Sequence, residues 1–232
     1  MTDLIKNITH YALLADVFEY PTEDYPQRVH AVRRQLSAHW PKAARALTQF
    51  LELLPENDLA KMQELFIRSF DVQAVTTLDI GYVLFGDDYK RGELLSNLNR
   101  EHIAARVDCG HELADHLTNV LKLLAKFVDA ELIDELVRDI IAPAVNKMID
   151  EFDDKRIQKK NESYQKHYKT LIETPVANIE VATLYKFTLK SLFEVLKTDF
   201  GVVEQIPIAM TSDFLRSVSN ENEIEEKAQS FY

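Results

Sequence analysis

Between Cys109 and His116 the chain sets a thiol, two imidazoles and two carboxylates within eight residues: Cys109-Gly-His111-Glu112-Leu-Ala-Asp115-His116. A zinc protease helix carries its histidines at i and i+4, about 40° apart around the axis, whereas His111 and His116 are five apart, about 140° around it. They cannot share a metal from one helix. Cys109 beside His111 has the makings of a nucleophile and base, yet no orienting group or oxyanion donor can be named, and a semi-buried thiol is the simpler reading. Neither the G-x-x-x-x-G-K-[ST] nor the G-x-G-x-x-G phosphate loop occurs. The residues therefore point to no catalytic group, no metal site and no cofactor.

Two blocks stand out because polar groups interrupt apolar helices. In the first, Tyr82 and Phe85 lead into Gly86-Asp87-Asp88 and Arg91-Gly92. In the second, Glu112, Asp115 and His116 fall at i, i+3 and i+4, so they form one patch on a single helical face. Four acids and a histidine beside an apolar groove suit a basic, apolar-tailed peptide, with carboxylates for its arginines and the groove for its hydrophobic stretch. The plainer alternative is that Asp87 and Asp88 cap helices while Asp115 and His116 pair to hold two helices together.

Helices must position these blocks. Thr2 or Asp3 can cap a first helix with Ile5, Ile8, Tyr11, Ala15 and Phe18 on one face, ending before Pro21. Val29, Val32 and Leu36 mark a second, over about 23–38, and Pro41 opens a third with Leu47, Phe50 and Leu54. Asn57 or Asp58 caps a fourth carrying Met62, Leu65, Phe66 and Phe70. A short helix reaches Phe85, Gly86 turns, and Asp87 or Asp88 caps the next. The strongest amphipath, HELADHLTNVLKLLAKFV, follows a break at Asp108-Cys109-Gly110. A long helix with Leu132, Leu136 and Ile140 comes next, with Pro143 as a candidate kink. Residues 150–169 are strongly charged, 176–198 form another amphipath, and NENEIEEKAQSFY is an acidic tail. The aromatic stripe of Tyr11, Phe18, Phe50, Phe66, Phe70 and Phe85 is core by default, with a groove lining as the alternative.

Composition agrees. The net charge of −11 disfavours nucleic-acid binding, which needs a basic stripe. Hydrophobic residues at 46% can fill a core. Average usage would put roughly 16 Gly and 12 Pro in such a chain; the 5 and 7 found here point to long helices joined by few tight turns. The lone Cys109 leaves no intrachain disulfide. No basic n-region precedes an apolar core, and no window reaches the ~18 apolar residues of a membrane helix. The expectation is a reduced, cytoplasmic, all-α protein with no stable membrane insertion.

The same blocks carry a family likeness. Tyr82-Val-Leu84-Phe85-Gly86-Asp87-Asp88-x-x-Arg91-Gly92 resembles the L-F-G-D-x-x-x-R-G block of respiratory nitrate reductase delta chains, the NarJ-type molybdoenzyme assembly chaperones. Glu112-Leu-Ala-Asp115-His116-Leu117 is similar to that family's E-L-P-D-H-L, shared with the wider TorD/DmsD group. Leu13-Leu14-Ala15-Asp16-Val17-Phe18-Glu19-Tyr20-Pro21 resembles its opening L-L-x-x-L-x-Y-P, and Phe70-Asp71 and Ala142-Pro143-Ala144 follow in order. The likeness spans about 5–175. Ala114 departs from the usual proline, and nothing after about Val176 aligns.

What the resemblance implies is an all-α chaperone domain over 1–175, while the residue pattern makes 176–232 a C-terminal helical extension with an acidic tail. Its expected partner is the apo catalytic subunit of a molybdoenzyme, held by an N-terminal leader or its remnant during molybdenum cofactor insertion. Asp87, Asp88, Glu112, Asp115, His116, Phe85 and Tyr82 would form the client-peptide site. On that expectation Asp115→Ala or His116→Ala weakens client binding without unfolding the chain. A nucleotide-binding regulator and a permanent structural subunit stay open as alternatives, as does a homodimer formed by swapped C-terminal helices.

Overall fold

The computed structural model describes residues 8–158 and 183–203. The acidic tail, the Thr2 or Asp3 cap and most of the charged 150–169 stretch lie outside them. The described residues are all-α: no strand forms, and none of their helices is long and apolar enough to cross a membrane. In chain order they are α1 (His10–Ala15), running into a 3-10 turn (Asp16–Phe18), α2 (Tyr25–Leu36), α3 (Pro41–Leu53) and α4 (Leu59–Phe70). Then come α5 (Ile80–Phe85), α6 (Tyr89–Ala105), α7 (Leu117–Leu124) and α8 (Ala130–Glu135). A π-helical segment (Leu136–Ile141) leads into α9 (Ala142–Glu151), and α10 is Tyr185–Phe200.

Local chemistry sets most boundaries. Pro41 fills the first turn of α3, where its missing N–H costs nothing. The Asp58 carboxylate accepts from the Lys61 amide and caps α4. Gly86 ends α5 at φ +64°, a conformation that a side chain would strain, and Asp88 caps α6 through the Lys90 amide. Pro143 does not break its helix. The wider π turns just before it absorb the residue that cannot donate, so α8 and α9 form one continuous rod.

Two expectations change. The amphipath beginning at His111 is helical only from Leu117. Its apolar period is real, but the preceding polar residues are drawn into other contacts, described below. The helix Tyr185–Phe200 is not an appendage: it packs against α3 and α9, and Tyr185, Leu189, Leu192, Val195 and Leu196 are fully buried. Around the Tyr185 ring gather Phe70, Phe50 and Phe66, with centroids at 5.0, 5.2 and 5.7 Å, two of them edge-on. Among the described elements, α10 is the largest partner of α3, ahead of α2.

The far end of α10 is pinned by polar contacts. One Asp199 carboxylate accepts from His10 Nε2 at 2.8 Å, Trp40 Nε1 at 2.8 Å and Tyr11 Oη at 3.0 Å. Burial pushes this carboxyl up, but those hydrogen bonds outweigh it and hold the group below the usual carboxylate range. His10 and Tyr11 thereby tie the chain's first and last described helices together, and Trp40 adds the start of α3. Because α10 is core, Leu192→Ala should cost about 2–5 kcal/mol in urea unfolding. A side chain on a solvated appendage would change stability by under about 0.5 kcal/mol.

Candidate functional site

A cavity of about 590 Å³ opens between the end of α4, the 77–79 turn, the 108–112 loop and the start of α7. Its floor is apolar: Phe18, Phe66, Ile67, Phe70 and Leu78. Tyr20, 46% exposed, stands at the mouth with its ring edge-on to Phe66 at 5.5 Å. The walls carry five carboxylates, from Glu19, Asp71, Asp79, Asp108 and Glu112. Lys122 is the one lysine or arginine in the lining, and it is committed to Glu19 at 2.6 Å.

The loop that forms one wall is sewn down from beneath. Asp108 accepts from the Gly110 amide, and Gly110 takes φ +60° to make the turn. Asn119, buried on α7, donates to the Cys109 and Leu113 carbonyls at 3.2 and 3.0 Å. His102 Nε2 reaches the Ala114 carbonyl at 3.1 Å from α6; burial pushes its imidazole down, so it is the neutral form that donates. A single β-bridge between Asp79 and His116 joins this loop to the 77–80 turn, with Ile80 N to Asp115 O at 3.0 Å and Leu117 N to Leu78 O at 2.8 Å.

Behind the cavity lies an ion-pair lock. Arg91, on α6, places Nε 2.9 Å from Asp115 Oδ2 and Nη2 2.8 Å from Asp79 Oδ2. Asp115 is fully buried. The Tyr82 ring faces the guanidinium at 5.3 Å. Gly81 is what lets Asp115 in: a Cβ there would lie 2.5 Å from Asp115 Oδ2, an atom Arg91 holds in place. Burial, and then the Asp115 charge, push the Asp79 carboxyl up, with Arg91 opposing.

These contacts divide the residues proposed from sequence. Glu112 and His116 line the cavity. They do not share a helical face with Asp115, because 112–115 is not helical; the patch built on i, i+3, i+4 spacing is corrected accordingly. Asp115 points inward to Arg91, so Asp115→Ala would strip a guanidinium of its buried partner and cost stability, not binding alone. Nor do Asp115 and His116 pair with each other: Arg91 is the partner. Asp87 and Asp88 are exposed, Asp88 as a cap, and with Tyr82 and Phe85 they lie outside the cavity lining.

His116 is the N-cap of α7 through its backbone only, and its Nδ1 is buried with no partner. Burial pushes its imidazole down against the pull of Glu112, Asp79 and Glu19. Burial likewise pushes the Cys109 thiol up, making it a poor nucleophile. Among the described residues, no three or more His, Cys, Asp or Glu side chains are placed to hold a metal. Among the residues that line or support the cavity, Asp79, Asn119, His102 and the Tyr20 at its mouth were not singled out from sequence. Asn119 left a signal, as a buried-face amide inside LTNVLKLL.

No protein-family model matches the chain, and no curated protein matches it in sequence.

The lock makes an unusual stability prediction. Alanine ordinarily favours a helix over glycine by about 0.5–1 kcal/mol. Gly92→Ala on α6, where a new Cβ meets nothing within 4 Å, should follow that rule. Gly81→Ala should instead destabilise by about 1–3 kcal/mol, since the methyl displaces Asp115 from Arg91. Urea unfolding of the two variants side by side tests it, and equal effects would mean Asp115 is not held as described.

Proposed function

We propose that the chain is a non-catalytic assembly chaperone that grips a basic, apolar-tailed segment of an apo molybdoenzyme catalytic subunit, of the nitrate reductase type, before molybdenum cofactor insertion. The observation that carries this reading is the cavity: an aromatic floor walled by five carboxylates with a single, already paired lysine. Apolar residues of a client would cover the floor, and its cationic residues would face the walls. The client's identity rests on the motif resemblance alone. The lining disfavours a nucleotide ligand, whose phosphates would meet carboxylates on every wall.

Two experiments test it. A tagged pull-down from the native host, with a molybdenum assay on the captured protein, should return a cofactor-poor molybdoenzyme catalytic chain. Fully metallated enzyme would indicate a resident subunit instead, and capture of no molybdoenzyme would overturn the reading. Fluorescence anisotropy with a labelled peptide, two arginines followed by an apolar stretch, tests the surface. The paired substitution Asp108→Asn with Glu112→Gln should weaken binding by about threefold to tenfold, the range of partly exposed ion pairs. Asp87→Asn with Asp88→Asn should leave it unchanged; the reverse pattern would move the site to the α5–α6 turn.

A further inference from the structure

The lock behind the cavity is one positive charge short. Arg91 supplies a single guanidinium, and Asp115 and Asp79 each supply a carboxylate. Asp115 is the satisfied partner: fully buried, it takes Nε at 2.9 Å on Oδ2 and approaches Nη2 at 3.5 Å through Oδ1. Asp79 receives one contact, on Oδ2, and among the described residues nothing donates to its Oδ1. It occupies the N-cap position of α5, yet its side chain accepts no cap hydrogen bond. The nearest alternatives are spent: Lys122 pairs with Glu19, and burial keeps the His116 imidazole neutral. Asp79 is the member of the lock that lines the cavity.

We propose that Asp79 anchors a guanidinium group in the cavity, which completes the half-neutralised lock from the open side. This rests on the binding reading above and names the group that the site selects. A planar, weakly hydrated guanidinium can bond Oδ1 while lying against an aromatic face, whereas an ammonium holds its water more tightly. The protein already uses this arrangement once, with Arg91 between the Tyr82 ring and two carboxylates. Phe66, Phe70 and Tyr20 offer the cavity ligand a comparable surface. Glu112 adds charge at the wall, but it is exposed and its contribution is screened.

The test compares wild type with Asp79→Asn, whose amide keeps an oxygen for Arg91 and leaves the Asp115 pair intact. Three labelled peptides differ only in carrying arginine, lysine or citrulline, the neutral isostere of arginine. Wild type should bind the arginine peptide about tenfold more tightly than the citrulline one, as expected for a charge-assisted hydrogen bond, with lysine between them. Asp79→Asn should bind all three alike, at the citrulline level. If Asp79→Asn keeps the wild-type preference, Asp79 is not the anchor, although the peptide-binding reading survives. If wild type binds arginine and lysine equally, the guanidinium assignment is overturned. Methylguanidinium, a guanidinium with no peptide and no second cation, separates the two proposals: it should shift the wild-type Asp79 carboxyl carbon resonance even if no peptide binds. Absence of that shift would overturn the anchor.

Discussion

A carboxylate removed from water must be met by a cation or by hydrogen-bond donors, and Asp115, fully buried, is met by Arg91. Left unpaired, that carboxylate would cost several kcal/mol, a penalty that the Arg91 guanidinium offsets. That requirement brings three separate segments together: the first turn of α6, the start of α5 and the loop before α7. It also explains a glycine inside a helix, because only Gly81 leaves room for the Asp115 oxygen. Helix formation through Glu112–Asp115 is given up in exchange. With that stretch pulled into a turn, Glu112 faces the cavity while Asp115 faces the protein.

The cavity follows from the same arrangement. Its carbonyl-rich loop is held from below by Asn119 and His102, which satisfy backbone groups that helix geometry would otherwise have used. Its floor is the outer edge of the aromatic cluster around Tyr185, so Phe66 and Phe70 serve the core and the cavity at once. Of the aromatic stripe, Tyr11, Phe18, Phe50, Phe66 and Phe70 are buried in the core, and Phe18, Phe66 and Phe70 also line the cavity, whereas Phe85 is half-buried and outside the lining. At the opposite end, Asp199 fastens α10 to α1 and the Trp40 corner, a half-buried carboxylate answered by neutral donors and a histidine.

Much of this was legible residue by residue. Pro41, Asp58, Gly86 and Asp88 act at helix ends as their types demand, since capping is local chemistry. The break at Asp108-Cys109-Gly110 is likewise an Asx turn with a left-handed glycine. The candidate patch was harder. Glu112 and His116 were found for their chemistry, but the helical spacing used to group them with Asp115 does not exist. Asp79 was missed because a single aspartate in an irregular stretch carries no signal until Arg91 and Asp115 are seen around it.

The sequence by itself determined an all-α chain, its main helix ends and an acidic block near an apolar face, because periodicity and caps depend on neighbours within a few residues. Only the tertiary structure decided which carboxylates are buried, which face the cavity and which merely cap. Burial and charge pairing there join residues as far apart as Asp79, Arg91 and Asp115, or Tyr11, Trp40 and Asp199, and no local rule encodes those distances. The place of α10 in the core was settled the same way, by the apolar face of α3, which it covers more extensively than any other described element does.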